Sequence, residues 1–106
     1  MTTLVLEQDP VAERVEFTSE RLVVHLTDGR MFGVPLTWFP RLQHATADER
    51  ENWQLIGGGY AVEWPDLDEH VGVEGLLAGR RSGESERSLQ RWYEARGIEW
   101  DRETSA

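Results

Sequence analysis

Asp66, Asp68, Glu69 and His70 crowd into one short stretch and form the densest set of metal-ligating and acid–base groups in the chain. Hard divalent ions favour such oxygens, and calcium loops use alternating acids in a comparable way. The twelve-residue calcium-loop spacing, with its central glycine and terminal glutamate, is missing here. Two carboxylates can also work as an acid/base pair, but nothing in the spacing sets these two across a cleft. The same residues suit a structural role. Asp66 can cap a turn, and Asp68 or Glu69 can cap a helix starting near Val71, whose dipole favours acids there. The Trp64–His70 segment therefore stands as an alternative small-molecule or divalent-metal site beside that reading.

Gly57-Gly58-Gly59 invites comparison with a phosphate loop, but no GxxxxGK[ST] follows and the strand comes after the glycines. A bulge or tight backbone crossing explains them better. His25, His44 and His70 are scattered, with no serine or carboxylate at a diagnostic spacing. The chain has no cysteine, which excludes a disulfide framework and thiolate chemistry. The expectation is no catalytic residue, no metal and no cofactor.

These residues depend on a set of short elements. Val15 and Phe17, then Leu22, Val24 and Leu26, alternate with polar neighbours as half-buried strands do. Asp28-Gly29 between two such runs predicts a hairpin with a tight primed turn. The strand from Met31 contains Gly33 and should stop at Pro35 or lie at an edge. Thr37 is expected to cap a short helix with Pro40 in its first turn, placing Trp38, Phe39 and Leu42 on one face. Thr46 and Glu49 form a capping box for a helix over Ala47 to Trp53. Tyr60, Val62 and Trp64 return to the sheet, and Val71 to Leu77 leads to Gly79 as a helix C-terminal glycine. Arg80 to Glu84 reads as a linker, and Ser85 to Arg96 as a last helix ended by Gly97. That helix can dock back through Leu89, Trp92 and Ile98, or reach another chain. The fold class is thus α+β: a three-stranded N-terminal meander plus a later strand, packed with short helices and a C-terminal helix. One domain spans 1–79, and 80–106 is linker plus helix.

Twenty acids against eleven arginines, with no lysine, leave a net charge of −9 over 106 residues. Residues 1–79 carry fourteen acids and five arginines, whereas 80–106 carry six of each. Such a field repels phosphate backbones, so direct nucleic-acid binding is disfavoured, and it speeds encounter with a basic partner. Met1 to Pro10 lacks the layout of a signal peptide, and no run approaches membrane-spanning length, so a cytoplasmic protein without a membrane role is expected. Five tryptophans are many for this length. Trp38, Trp53 and Trp64 are expected in the core, while Trp92 and Trp100 lie in the arginine-bearing tail, a composition typical of interfaces.

Three ordered segments carry a resemblance. They are Asp28-Gly29-Arg30 with Val34 to Leu42; Ala45-Thr46 through Asn52-Trp53 to Gly57; and Trp64 to Glu69 with Val73 to Leu77. Over about residues 11–79 the chain resembles the bacterial domain-of-unknown-function family 2442. The resemblance implies a small α+β domain without established catalytic activity. It also implies a setting in which the gene often stands beside a second short gene of the uncharacterised family 4160, in a toxin–antitoxin-like pair. His70 stands where the family's pattern carries an acid, and no helix-turn-helix follows, which argues against a direct repressor. The expected function is a non-enzymatic protein-interaction module, the antitoxin-like or regulatory member of a two-gene pair, offering an acidic face to a basic protein, either the neighbouring-gene product or a second copy. Trp38, Phe39, Arg41, Asp66, Asp68, Glu69 and Trp92 are the expected contact residues.

Overall fold

The structure, a computed structural model, describes residues 10–99. The readings placed on the first nine residues and on Trp100 lie outside them. Strands β1 (Ala12–Phe17), β2 (Arg21–Leu26) and β3 (Met31–Pro35) form an antiparallel meander in the order β1-β2-β3. Alternation dictates the faces: Leu22, Val24 and Leu26 are buried, and Val34 opposite Leu22 joins them. Leu26 donates its N–H to the Arg30 carbonyl at 2.8 Å, so the hairpin loop holds three residues, not the two of a primed turn. Gly29 alone in that loop has a positive φ, 95°, whereas a type I′ turn would demand the same of Asp28.

After β3 the chain makes a 3₁₀ turn over Leu36–Trp38 and a short helix α1 (Pro40–Gln43). Pro40 is in its first turn as expected, but the N-cap is Phe39, and Thr37 caps nothing because it sits inside the 3₁₀ turn. Helix α2 (Ala47–Glu51) carries the full capping box between Thr46 and Glu49.

The sequence led us to expect one later strand; the structure has a second three-stranded sheet, β4 (Gln54–Ile56), β5 (Ala61–Trp64) and β6 (Glu69–Gly72), in that order. The glycine run is the β4–β5 hairpin loop and a crossing point. Ala12 donates its N–H to Gly59 at 2.8 Å, and a Cβ on Gly59 would lie 2.4 Å from the Ala12 carbonyl oxygen. Asp68 and Glu69 cap no helix: Asp68 takes the left-handed conformation after the 3₁₀ turn Pro65–Leu67, and Glu69 opens β6. Helix α3 begins two residues later than expected, at Val73, and runs to Leu77 with Gly72 as N-cap. Gly79 and Arg80 close it by donating to Leu76 and Gly75, a Schellman ending. Helix α4 (Glu86–Ala95) starts at the Ser85 cap and ends the same way through Gly97 and Ile98.

Both sheets feed one core, with Trp64 fully buried at its centre and Phe17 edge-on to it at 6.1 Å. Burying such a ring contributes on the order of a few kcal/mol. Its Nε1–H donates to the Arg50 carbonyl at 3.0 Å, so the indole is buried without an orphaned donor. Trp38 and Trp53 pack on the core only in part. No helix of the described residues is long and apolar enough to cross a membrane.

Candidate functional site

Pro40 fixes the start of α1, and the next residue, Arg41, is thereby aimed at the C-terminal segment. Its Nε donates to both carboxylate oxygens of Glu84, at 2.9 and 3.1 Å, and its Nη2 donates to Oε2 at 2.5 Å. Nη1 donates to the Leu67 carbonyl at 2.7 Å. Ser88 of α4 adds its hydroxyl to Glu84 at 2.6 Å. Both charged side chains are 15% exposed, which makes the pair a desolvated, charge-assisted one.

Around this pair lies an aromatic and ionic frame. Trp92 of α4 lies under two guanidiniums, Arg41 at 5.5 Å and Arg96 at 4.4 Å. Arg96 also pairs with Glu49, whose other oxygen completes the Thr46 capping box. Tyr93, buried, meets the His44 ring edge-on at 4.9 Å.

The electrostatics follow from this packing. Hydrogen bonds that Arg41 donates to Glu84 raise the Arg41 pKa above its ordinary value, despite burial. At Glu84, burial pushes upward, but hydrogen bonds from Arg41 and Ser88 outweigh it and leave the carboxyl lowered. Glu69 is different. Burial, with Glu84 as a like-charged neighbour, pushes it up to about 7, against the pull of Arg41. Burial, helped by the Arg50 charge, lowers His44.

A slot of about 280 Å³ opens beside this frame, between β6 and residues 80–83. Glu69 and His70 line it on one side, Arg80 and Arg81 on the other, with Phe39 and Leu76 on its floor. Arg81 stacks on Trp38 at 5.0 Å.

The expected contact residues therefore divide. Arg41, Glu69 and Trp92 gather at the frame, and Trp38 stands at its margin under Arg81. Phe39 is 4% exposed and belongs to the core. Asp66 and Asp68 flank the buried Leu67 on the exposed 3₁₀ turn, with Asp66 accepting from Asn52 at 2.9 Å. Among the described residues, no three His, Cys, Asp or Glu side chains gather as a metal site, so Asp66 to His70 do not converge. The chain reverses at Asp68 and then alternates along β6, which spreads those side chains apart.

Sequence reasoning missed Glu84, Arg96 and the slot-lining Arg80 and Arg81. Arg80, Arg81 and Glu84 fell in the segment read as a linker, yet Ser82 donates its N–H to the Trp38 carbonyl at 3.0 Å and ties that segment down. The one available signal was the excess of arginine after residue 79 relative to the rest of the chain.

Comparison with known proteins adds kinship without chemistry. Residues 12–82 match the family described as "Protein of unknown function (DUF2442)". No curated protein matches. The crystal structure of a protein of unknown function from Rhodospirillum rubrum is similar, with a TM-score of 0.63 and 28% identity over 73% of this chain and 95% of that one. A solution structure of an uncharacterised protein from Chromobacterium violaceum shares the fold, with a TM-score of 0.61 and 23% identity over 85% of this chain and 82% of that one.

Proposed function

This chain belongs to the DUF2442 family of proteins of unknown function, and on that premise we propose that it is a non-enzymatic protein-interaction module. Its acidic face meets a basic protein partner. The supporting observation is the state of Asp66 and Asp68. Both are exposed, and neither enters an ion pair among the described residues, where the paired acids are Glu16, Asp28, Glu49 and Glu84. Uncompensated surface carboxylates on a chain of net charge −9 steer a cationic partner and speed its association. Phe39, being core, has no part in that contact, and Arg41 and Trp92 are engaged within the chain. An antitoxin-like role beside a neighbouring-gene product is the biological form this proposal takes.

The test is capture of the adjacent-gene product by the tagged chain at low and high salt. The Asp66→Asn/Asp68→Asn double variant is the control. The proposal expects a complex at low salt that weakens with ionic strength and weakens further in the variant. Absence of any complex at low salt, where attraction between the charges is strongest, refutes it.

A further inference from the structure

The slot beside β6 has features that the acidic-face reading does not use. Strand β6 is an edge of its sheet, with β5 on one side only. Val73 donates its N–H to the Tyr60 carbonyl at 2.9 Å, which fixes the parity of the ladder. Stepping back by two, Val71 and Glu69 bond toward β5, so the backbone groups of His70 and Gly72 point the other way, toward the slot. Two of those four groups have uses already. The Glu69 carboxylate interacts with the His70 N–H and is held lower by it, and the Gly72 carbonyl belongs to the N-cap of α3. That leaves the His70 carbonyl and the Gly72 N–H, for which the described residues supply no hydrogen-bond partner. An acceptor and a donor two residues apart on one edge are what a single residue of a parallel strand engages with its own N–H and C=O.

The opposite wall has the chemistry of a carboxylate receptor. Arg80 and Arg81 are exposed, adjacent and free of ion pairs among the described residues, on a chain of net charge −9. Guanidinium forks match carboxylate geometry, and the Trp38 ring under Arg81 restrains one of them. Room is present as well, because a Cβ built on Gly72 meets nothing within 4 Å.

We propose that the slot is a peptide-binding site in which an extended segment adds as a parallel strand to the free edge of β6 and places an acidic side chain against Arg80 and Arg81. The backbone pair supplies the register and the arginines supply the charge preference, as in other strand-addition sites. This site is distinct from the acidic surface at Asp66 and Asp68, and its ligand has the opposite charge.

The experiment is an amide-shift NMR titration of the full chain with acetyl-Val-Glu-Val-Glu-Val-Glu-amide, and with the same peptide carrying Gln for Glu. The expected result is shifts concentrated at His70, Gly72 and residues 80–83, with the Gln peptide weaker by about tenfold. Gly72→Pro is the blocking variant, because it removes the edge N–H that the peptide needs and costs no bond to β5. Position 72 has φ −82° and ψ 136°, close to what proline adopts, so the fold should persist. An unchanged spectrum elsewhere in that variant, with the peptide response lost, supports the site. Arg80→Gln/Arg81→Gln should remove the preference for Glu over Gln. No shifts at millimolar peptide, an undiminished response in Gly72→Pro, or an equal response to inorganic phosphate alone would each overturn the proposal.

Discussion

Arg41 and Glu84 form a bidentate ion pair across 43 residues of chain, joining the helix after β3 to the segment that leads into α4. The pair does more than link two charges. Its guanidinium face lies on Trp92, and its fourth hydrogen bond reaches Leu67 beside the acidic turn. One side chain thus anchors the C-terminal helix and the 3₁₀ turn at once.

Removing Arg41 should therefore cost more than removing its partner's charge. In Arg41→Met, Glu84 is left largely buried and unpaired with Glu69 as a like-charged neighbour, a loss of about 2–4 kcal/mol at neutral pH. In Glu84→Gln the amide still accepts from Arg41, and Glu69 loses its repelling neighbour, so about 1 kcal/mol is expected. Urea denaturation of both variants and of the double variant checks this. The double variant should be more stable than the sum of the single effects predicts, because the residues share one network.

The meander and the capping box were legible because their signals are local. One face of β2 is buried, so Leu22, Val24 and Leu26 must alternate, and Thr46 lies three residues from the Glu49 that answers it. β4 spans only three residues, too short for a period to emerge, and in β6 only Val71 is buried. Val71 also sits at a spacing from Val73 and Leu76 that merges with the following helix, which hid the strand. Glu84 could not be recognised from its neighbours at all, since its partner lies in another part of the chain. The three-residue hairpin at Gly29 was missed for a different reason: Asp-Gly suits two loop geometries, and strand register decides between them.

The glycine run separates two kinds of glycine requirement. Gly59→Ala should destabilise by about 2–4 kcal/mol, since φ is 112° and the Ala12 carbonyl oxygen blocks the new methyl group. Gly58→Ala has a φ of 73° but open space, so about 1–2 kcal/mol is expected from backbone strain alone. Thermal unfolding of the two variants should rank them in that order, and equal losses would remove the crossing as the reason for Gly59.

Glu49 serves two elements with one carboxylate, the Thr46 N–H through Oε1 and Arg96 through Oε2. Thr46→Ala removes only the cap and should lower stability by about 1 kcal/mol. Glu49→Ala removes the cap's return bond and the anchor of Arg96 over Trp92, so about 2 kcal/mol is expected. Chemical-shift changes reaching Trp92 in the second variant but not the first would show the two roles separately.

Glu69 predicts an unusual pH dependence. Its pKa is raised by burial from an ordinary 4.5 to about 7, so between those values the folded chain holds a proton that the unfolded chain has released. Stability carried by that proton is therefore lost as pH rises from about 5 to about 7.5, on the order of 2 kcal/mol. Glu84 and Glu49 work oppositely, since their lowered values cost stability only on acidification through the ordinary carboxylate range. His44, held below its ordinary value by burial, opposes Glu69 in the same window by costing stability as pH falls, and the larger Glu69 shift leaves the maximum below neutrality. Denaturation midpoints from pH 4 to 8 should fall across the upper half of that range. In Glu69→Gln, which keeps the shape and cannot ionise, the fall should disappear and stability at pH 8 should exceed the parent's. A parent profile that is flat above pH 5, or a variant that keeps the slope, would show that Glu69 titrates as an ordinary surface carboxylate.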